Sequence, residues 1–329
     1  MGLIKTNQIL KNYIINGNFD FWQRGTSIAN TGGRMFGSDR WWWSRGGAVA
    51  GSTLSQQVGS NSKYICRLQR DSGNTSTQQI AIFQDLETVN SLPLQGKIIT
   101  LSLYARMGAN YSAASSLFVL GIATGTGTDQ TQYSGYTGMI SNLVSKTLTS
   151  SFQLLTMTIT VPSNATQIGI RMHYDPVGTA GANDYIEFSK VMLNEGPVAA
   201  PFQTAGANIE EELSMCQRYY QKTFPLATAP AQSAGITGAV TIASVGAGGF
   251  GNFLLWNFPV IMRGSPTIVT YNPSAANANA RNFAVPADRT ILSDAFGVSS
   301  QRSVGRVVDS TGDTLGQQVG IHYTAEAEL

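Results

Sequence analysis

Charge is what this chain has least of. Asp, Glu, Lys and Arg make up 12% of its 329 residues, about half the share of an ordinary globular domain. The net charge of +2 gives no field able to draw DNA or an anionic membrane, so no nucleic-acid partner is expected. Two cysteines are too few for a disulfide framework. Cys66 falls in a strand-like run and Cys216 in a helix-like one, and both read as small buried hydrophobes. The two histidines, His173 and His322, have no ligand spacing and no Cys pair beside them, which leaves zinc without a site. No Gly-x-Ser-x-Gly elbow accompanies them to build a hydrolase triad, and no Gly-x-x-x-x-Gly-Lys loop is present to cradle phosphates. No run approaches the length of a membrane-spanning helix, so no membrane insertion is expected. Residues Met1–Gln8 lack the apolar core of a secretory leader.

Neutral polarity fills the space that charge leaves. Ser, Thr, Asn, Gln and 35 Gly suit many short strands joined by tight turns and a surface that works outside a cell. The length allows two domains, each with its own core. Period-two alternation dominates the first two hundred residues. Ile99, Leu101 and Leu103 alternate with Thr100, Ser102 and Tyr104; Leu155, Met157, Ile159 and Val161 alternate with threonines; Ile168, Ile170 and Met172 alternate with Gly169, Arg171 and His173. Further strands are expected at 63–69, 78–84, 117–123 and 185–193, with a short first strand at Tyr13–Ile15. Turn clusters such as Asp71-Ser72-Gly73-Asn74 and Gly125-Thr126-Gly127-Thr128 separate them. The fold class expected is all-β, an antiparallel sandwich.

One convincing helix is expected over 208–223. Asn208 caps it, Glu210, Glu211 and Glu212 fill its first turn, Arg218 and Lys222 its last, and Pro225 stops it. Ile209, Leu213, Cys216 and Tyr220 form its apolar stripe. Beyond it the chain is again Gly-, Ala- and Ser-rich, with strands expected at 236–245, 250–258, 267–271, 289–293, 304–308 and 319–324, and a loop from Asn272 to Asn282. The reading is thus an arm at 1–11, a sandwich domain at 12–205, a connector helix at 206–225 and a second, smaller β domain at 226–329.

Four of the five Trp lie between residues 22 and 43. The opening Asn16-Gly17-Asn18-Phe19-Asp20-Phe21-Trp22-Gln23-Arg24-Gly25 resembles the first strand of the carbohydrate-binding-module-like jelly rolls of bacteriophage and prophage fibre proteins. Tyr185–Gly196, followed by Pro201-Phe202, looks like that family's last strand; Met215–Lys222 resembles its connector, and Phe258–Ile268 a segment common in phage fibre C-terminal domains. The resemblance implies a jelly roll in a virion fibre or spike subunit, on head or tail or in a gene transfer agent. Such a subunit is made in the bacterial host cytoplasm, carried on the virion surface, and binds host surface polysaccharide without cleaving it. It implies a homo-oligomer, with a trimer favoured and a pentamer as the alternative, the connector helices bundling on the axis and the arm plugging into other virion proteins. A structural decoration protein is the runner-up, and a depolymerase the third reading.

Sugar recognition needs flat aromatic faces and a few fixed polar groups. The polar faces of three strands offer Tyr104 and Arg106, Thr156, Thr158 and Thr160, and Arg171 with His173; as neighbours they would form one surface. Tyr133, Tyr136 and Tyr174 are loop aromatics able to stack on a ring. In Trp41-Trp42-Trp43 an extended chain turns Trp42 away from its neighbours, so Trp42 is the leading aromatic for a ligand or subunit contact and Trp22 and Trp41 are core. Arg24 is expected to pair with the Asp39-Arg40 segment. No catalytic residue is assigned: carboxylates are present but show no paired spacing. No cofactor is expected other than the structural calcium that the resemblance implies, with Asp20, Asp184 and Glu187 placed where its ligands come from.

Overall fold

The computed structural model describes residues 11–247, 251–294 and 299–329. The arm expected at 1–11 therefore lies, apart from Lys11, outside the described residues. The chain divides into two compact units. The first is built from the chain up to Phe21, from Thr26–Glu212 and from Leu329; the second is built from Trp22–Gly25 and Leu213–Glu328. Among the described residues no helix is long and apolar enough to cross a membrane.

The first unit holds twelve strands: β1 (Ser27–Ala29), β2 (Arg34–Phe36), β3 (Trp42–Arg45), β4 (Ser52–Val58), β5 (Tyr64–Arg70), β6 (Ile80–Asp85), β7 (Ile98–Met107), β8 (Leu117–Gly125), β9 (Ile140–Thr147), β10 (Gln153–Thr160), β11 (Gln167–Tyr174) and β12 (Tyr185–Glu195). They form two six-stranded antiparallel sheets, sheet A in the order β1-β4-β5-β12-β7-β10 and sheet B in the order β2-β3-β6-β11-β8-β9. From β6 onward the chain changes sheet at every step but β8 to β9, the jelly-roll way of giving each sheet one face to the common core. The inward positions are the alternating ones of the sequence: Ile99, Leu101 and Leu103 on β7, Ile168, Ile170 and Met172 on β11, all fully buried.

The Asn-Gly-Asn-Phe opening acts as a plug and not as a strand. Tyr13 donates its backbone N–H to Leu193 O of β12 (3.0 Å), and Ile15 exchanges both backbone hydrogen bonds with the Gln84 side-chain amide (2.8 Å each). The expected strand at Tyr13–Ile15 thus makes one backbone bond and is otherwise met by a side chain, and the chain bends at Asn16, whose φ is 57°. The Asn16 side chain then donates to Phe21 O, Ser38 Oγ and Asp39 O, and the Asn16 backbone carbonyl accepts from Trp41 Nε1 at 3.0 Å. A Cβ on Gly17 would stand 2.1 Å from Val191 O, so only glycine lets this turn meet β12. The turn delivers Phe19 into the core between Trp41 (5.0 Å) and Phe188 of β12 (5.2 Å), one ring tying the two sheets.

The connector helix is shorter than its sequence suggests, Ile209–Gln217. Asn208 caps it as expected, accepting from the Glu210 and Glu211 amides at 3.0 Å. Arg218 and Lys222 are not in a last helical turn, because the chain leaves the helix to pair as a strand. The tyrosines at 219 and 220 favour that geometry, and the backbone of Tyr220–Lys222 is met by the final strand.

The second unit holds β13 (Tyr220–Lys222), β14 (Val240–Ala243), β15 (Asn252–Asn257), β16 (Thr267–Tyr271), β17 (Ala280–Asn282), β18 (Ala287–Arg289), β19 (Ile291–Asp294), β20 (Ser303–Val308) and β21 (Gln318–Glu326). β21 pairs with β13, β14, β16 and β17, and β15, β20 and β19 form a three-stranded sheet. Leu254, Val304, Val308, Val319, Ile321 and Tyr323 make its core. The end of the expected 272–282 loop is strand β17, for Asn282 is drawn in by Asp313, whose carboxylate also accepts from Ser244, Asn252 and Arg289. Arg24 belongs to this unit: its Nη2 meets Glu326 (3.1 Å) and Glu328 (3.2 Å) and its guanidinium covers the Tyr220 ring at 3.7 Å.

Candidate functional site

Sheet register decides which side chains share a surface. On sheet B the outward positions Phe36, Trp42, Phe83, Arg171, Gly121 and Leu143 lie opposite one another across β2, β3, β6, β11, β8 and β9. Trp42 does turn away from Trp41 and Trp43, which are fully buried in the core. It stacks on Phe83 with centroids 3.9 Å apart and planes 6° apart. The stack carries a cation at each end: Arg34 covers Trp42 (5.0 Å) and Phe36 (4.7 Å), and Arg171 covers Phe83 (5.7 Å). Arg34 also donates to Leu329 O at 2.5 Å.

The β8–β9 loop, 126–139, lies against this stack, and Asp85 holds it there. The Asp85 carboxylate accepts from Trp42 Nε1 (2.7 Å), from the Gln132 backbone (3.2 Å) and side chain (3.1 Å), and from the Tyr136 hydroxyl. Burial and that carboxylate push the Tyr136 phenol well above its ordinary range. The close approach depends on Gly169, where a Cβ would stand 2.3 Å from the Tyr136 hydroxyl and 2.6 Å from Asp85 Oδ1. The loop presents Tyr133 edge-on to Trp42 at 5.9 Å, with 56% of Tyr133 exposed. Trp42 itself is 2% exposed, so the accessible part of this surface is Tyr133, the half-buried Arg34 and Arg171, and Leu143 at the β9 edge.

Arg171 is fixed by Gln79, whose Oε1 accepts from Nη2 at 2.7 Å; its Nε and the Nδ1 of His173, two residues along on the same face, are buried without a hydrogen-bond partner. Burial and the adjacent Arg171 charge lower the His173 imidazole to a pKa of about 4, so the ring is neutral at pH 7.

The other candidates lie elsewhere. Tyr104 and Arg106 face outward from sheet A, beside Thr156 and Thr158 of β10, while Arg171 and His173 sit on sheet B; the single combined surface expected from the three polar faces is thereby split, since outward faces of opposed sheets point apart. Tyr174 has 0% exposure and packs on Tyr111 at 5.0 Å beside Arg70 and Asp184, which removes it as a stacking platform. An open groove of about 580 Å³ runs between the edge strands β9 and β10, lined by Leu143, Lys146, Thr156 and Thr158 among others. It holds no aromatic ring, and the aromatic surface of sheet B suits a sugar better.

The calcium set does not fit. Asp184 faces Arg70 (3.4 Å) and accepts from Ser112 Oγ (2.7 Å). Glu187 lies between Arg67 and Arg106, the latter at 2.6 Å. Asp20 accepts from Asn18 at 3.2 Å. Guanidinium groups thus engage Asp184 and Glu187 where a cation would bind, and among the described residues no three acidic, His or Cys side chains gather as a metal site.

Sequence reasoning missed Asp85, Phe83, Arg34 and Gln132. The sequence signal for Asp85 is its place just after the apolar run Ile80-Ala81-Ile82-Phe83; the fold buries all six residues of Ile80–Asp85, and a carboxylate there requires dedicated donors.

No protein-family model and no curated protein matches the chain. Among solved structures it is similar, over 56% of its length, to 21% of the chain of the bacteriophage CBA120 tailspike protein 4 enzymatically active domain, with a TM-score of 0.38 and 13% identity. Over 56% of its length it is similar to 99% of the carbohydrate-binding module TmCBM61, solved with β-1,4-galactotriose, with a TM-score of 0.35 and 10% identity. Over 54% it is similar to 98% of the C-terminal family 22 carbohydrate-binding module of Clostridium thermocellum Xyn10B, with a TM-score of 0.33 and 12% identity. The chain spans about a fifth of the tailspike chain and nearly all of the two modules; its own architecture rests on the strand order and register given above.

Proposed function

We propose that the first unit is a glycan-binding jelly roll of a virion fibre or spike subunit, which holds a host surface polysaccharide without cleaving it. The observation that carries the reading is the outward surface of sheet B, where a rigid Trp42–Phe83 stack, an exposed Tyr133 and two ring-mounted guanidiniums are fixed beside unpartnered buried polar atoms. Flat carbon-rich faces beside immobile donors are what a pyranose ring and its hydroxyls require. Hydrolysis would need two carboxylates free to act on opposite sides of a bond; Asp85 and Glu187, the buried carboxylates of the two outward faces, are each engaged by several donors, which favours binding over cleavage. The motif resemblance supplies the virion setting and with it assembly as a trimer or pentamer, in which repeated weak sites gain avidity through effective concentration. The neighbours include sugar-binding modules and a tailspike domain, but the reading rests on the surface itself.

The test applies purified protein to a glycan array and to whole bacteria, with a reducing-end assay on the same samples. Saturable binding that Tyr133→Ala and Arg171→Gln each weaken by about tenfold, without new reducing ends, is the expected result. No binding at any concentration moves the protein to the structural class, in which neighbouring subunits cover this face. New reducing ends make it a depolymerase.

A further inference from the structure

We propose that the outward face of sheet A is a second binding surface, and that its ligand is a carboxylate-bearing polysaccharide. Register places Arg67 of β5, Glu187 of β12 and Arg106 of β7 opposite one another. Both guanidiniums close on one carboxylate, Arg67 on Oε1 and Arg106 Nε on Oε2 at 2.6 Å. Each also lies on a ring, Arg67 on Tyr185 at 4.0 Å and Arg106 on Phe152 at 4.7 Å.

A third cation joins them through a backbone irregularity. The β12–β7 register shifts between Ser189 and Met192, and Lys190 takes a φ of 53° there. Bulges of this kind re-aim a side chain, and this one is held open by the Gly17 carbonyl, which accepts from the Val191 amide at 2.8 Å, and by Asn12, which donates to Val191 O. The Lys190 ammonium lies 5.6 Å from the centre of the Tyr104 ring.

In the strip made by Arg67, Glu187, Arg106 and Lys190, three cations therefore stand against one carboxylate; Asp71, one residue past β5, accepts from Thr53 at the far end of the sheet. The corresponding strip of sheet B sets Arg34 and Arg171 against Asp85 and against Asp175, which follows β11 and accepts from the same Gln79 that holds Arg171. Among the described residues the Nη atoms of Arg106 and the Lys190 ammonium have no hydrogen-bond partner, and the Arg106 side chain is 33% exposed. A guanidinium pinned through Nε and stacked on a ring presents its remaining edge in a fixed plane, the geometry that takes a carboxylate with two hydrogen bonds. The rings are already covered by these cations and the chain as a whole has a net charge of only +2, which disfavours base stacking and a phosphate backbone; Thr156 of β10, opposite Ser102 of β7, adds a hydroxyl at the edge of the strip.

The experiment titrates the full chain with polygalacturonate, with the same polymer after reduction of its carboxylates to alcohols, and with double-stranded DNA. Three variants accompany it: Lys190→Gln, the triple Arg67→Gln/Glu187→Gln/Arg106→Gln, which removes the cluster without leaving Glu187 alone, and Tyr133→Ala on sheet B; thermal melting checks that each folds. Polygalacturonate binding is expected to weaken about threefold in Lys190→Gln and at least tenfold in the triple variant, to fall at least tenfold for the reduced polymer, and to stay unchanged in Tyr133→Ala. Equal binding of both polymers, DNA binding as tight as that of polygalacturonate, loss in Tyr133→Ala with retention in the triple variant, or no polygalacturonate binding at all would each overturn the proposal. Of these results only the loss in Tyr133→Ala bears on the sheet B reading, and it would support that reading while overturning this one. Should the triple variant not fold, Lys190→Glu, outside the ion cluster, carries the test with an expected tenfold loss.

Discussion

Each outward face of the jelly roll is organised around one buried carboxylate, and the two are satisfied in opposite ways. Asp85 on sheet B is 2% exposed and is met by an indole, an amide side chain, a backbone amide and a phenol, all neutral. Glu187 on sheet A is 1% exposed and is met by two guanidiniums. Neutral donors fix a loop and its aromatics without adding charge, so the surface above Asp85 is a rigid, balanced plate. Guanidiniums overcompensate the acid, so the surface above Glu187 is cationic. One sandwich thus presents two chemically different faces, although both are built from alternating strands of the same composition.

The sharpest way to break this contrast is to remove each acid. Asp85→Ala leaves the Trp42, Gln132 and Tyr136 donors unmet in a site with little water, and should cost about 4 kcal/mol. In calorimetry the first unit's transition falls by roughly 10 °C, and the 126–139 loop becomes sensitive to protease. Glu187→Gln leaves two guanidiniums facing each other, but these are 24% and 33% exposed and water relieves part of the repulsion. Its cost should be about 2 to 3 kcal/mol, with loop 126–139 untouched. If Glu187→Gln released that loop, or if Asp85→Ala left it protected, the two faces would not be independently organised.

A smaller effect comes from pH. His173 belongs to the balanced face, and its folded pKa of about 4 lies below the unfolded value of 6.5. The unfolded chain therefore binds the proton first, and the contribution of the neutral ring is complete above pH 6.5 and is lost as pH falls towards 4. The first unit should be about 2 kcal/mol less stable at pH 5 than at pH 7 on this account, and His173→Gln should remove most of that slope. His322, also lowered by burial, acts in the same direction in the second unit, so the two transitions must be followed separately. An unchanged slope in His173→Gln would mean that the ring is open to water and that the face is less closed than its exposure indicates.

How far these features can be read from sequence differs by level. Long period-two segments such as Gln153–Thr160 and Gln167–Tyr174 declare themselves because one face of each meets the core. Short strands that pair at sheet edges, Ser27–Ala29 and Arg34–Phe36, carry no such pattern, because three residues are too few to show a period; they are fixed by pairing with the strands at Ser52–Val58 and Trp42–Arg45. The opposite orientation of Trp42 is a local consequence of extended backbone and was legible. Which strands become neighbours was not: Arg106 and Arg171 look alike in sequence, yet strand order puts them on opposite sheets. Tyr174 shows the same limit, since its burial is set by Arg70, Asp184 and Tyr111, none adjacent in sequence.

Tyr133→Ala is the substitution with the least effect on the fold and the most direct bearing on the contrast. Tyr133 is 56% exposed and its ring touches Trp42 only edge-on, while Asp85 anchors the loop through Gln132 and Tyr136. Its removal should therefore change stability by less than about 0.5 kcal/mol. It nevertheless deletes the one exposed ring of the aromatic surface, and loss of such a stacking face should weaken a bound glycan by about tenfold. Isothermal titration with an array-positive oligosaccharide, run beside a melting curve, separates the two quantities. Weak binding with an unchanged melt assigns recognition to sheet B; unchanged binding would place the glycan on sheet A and leave the aromatic plate as a purely structural closure of the sandwich.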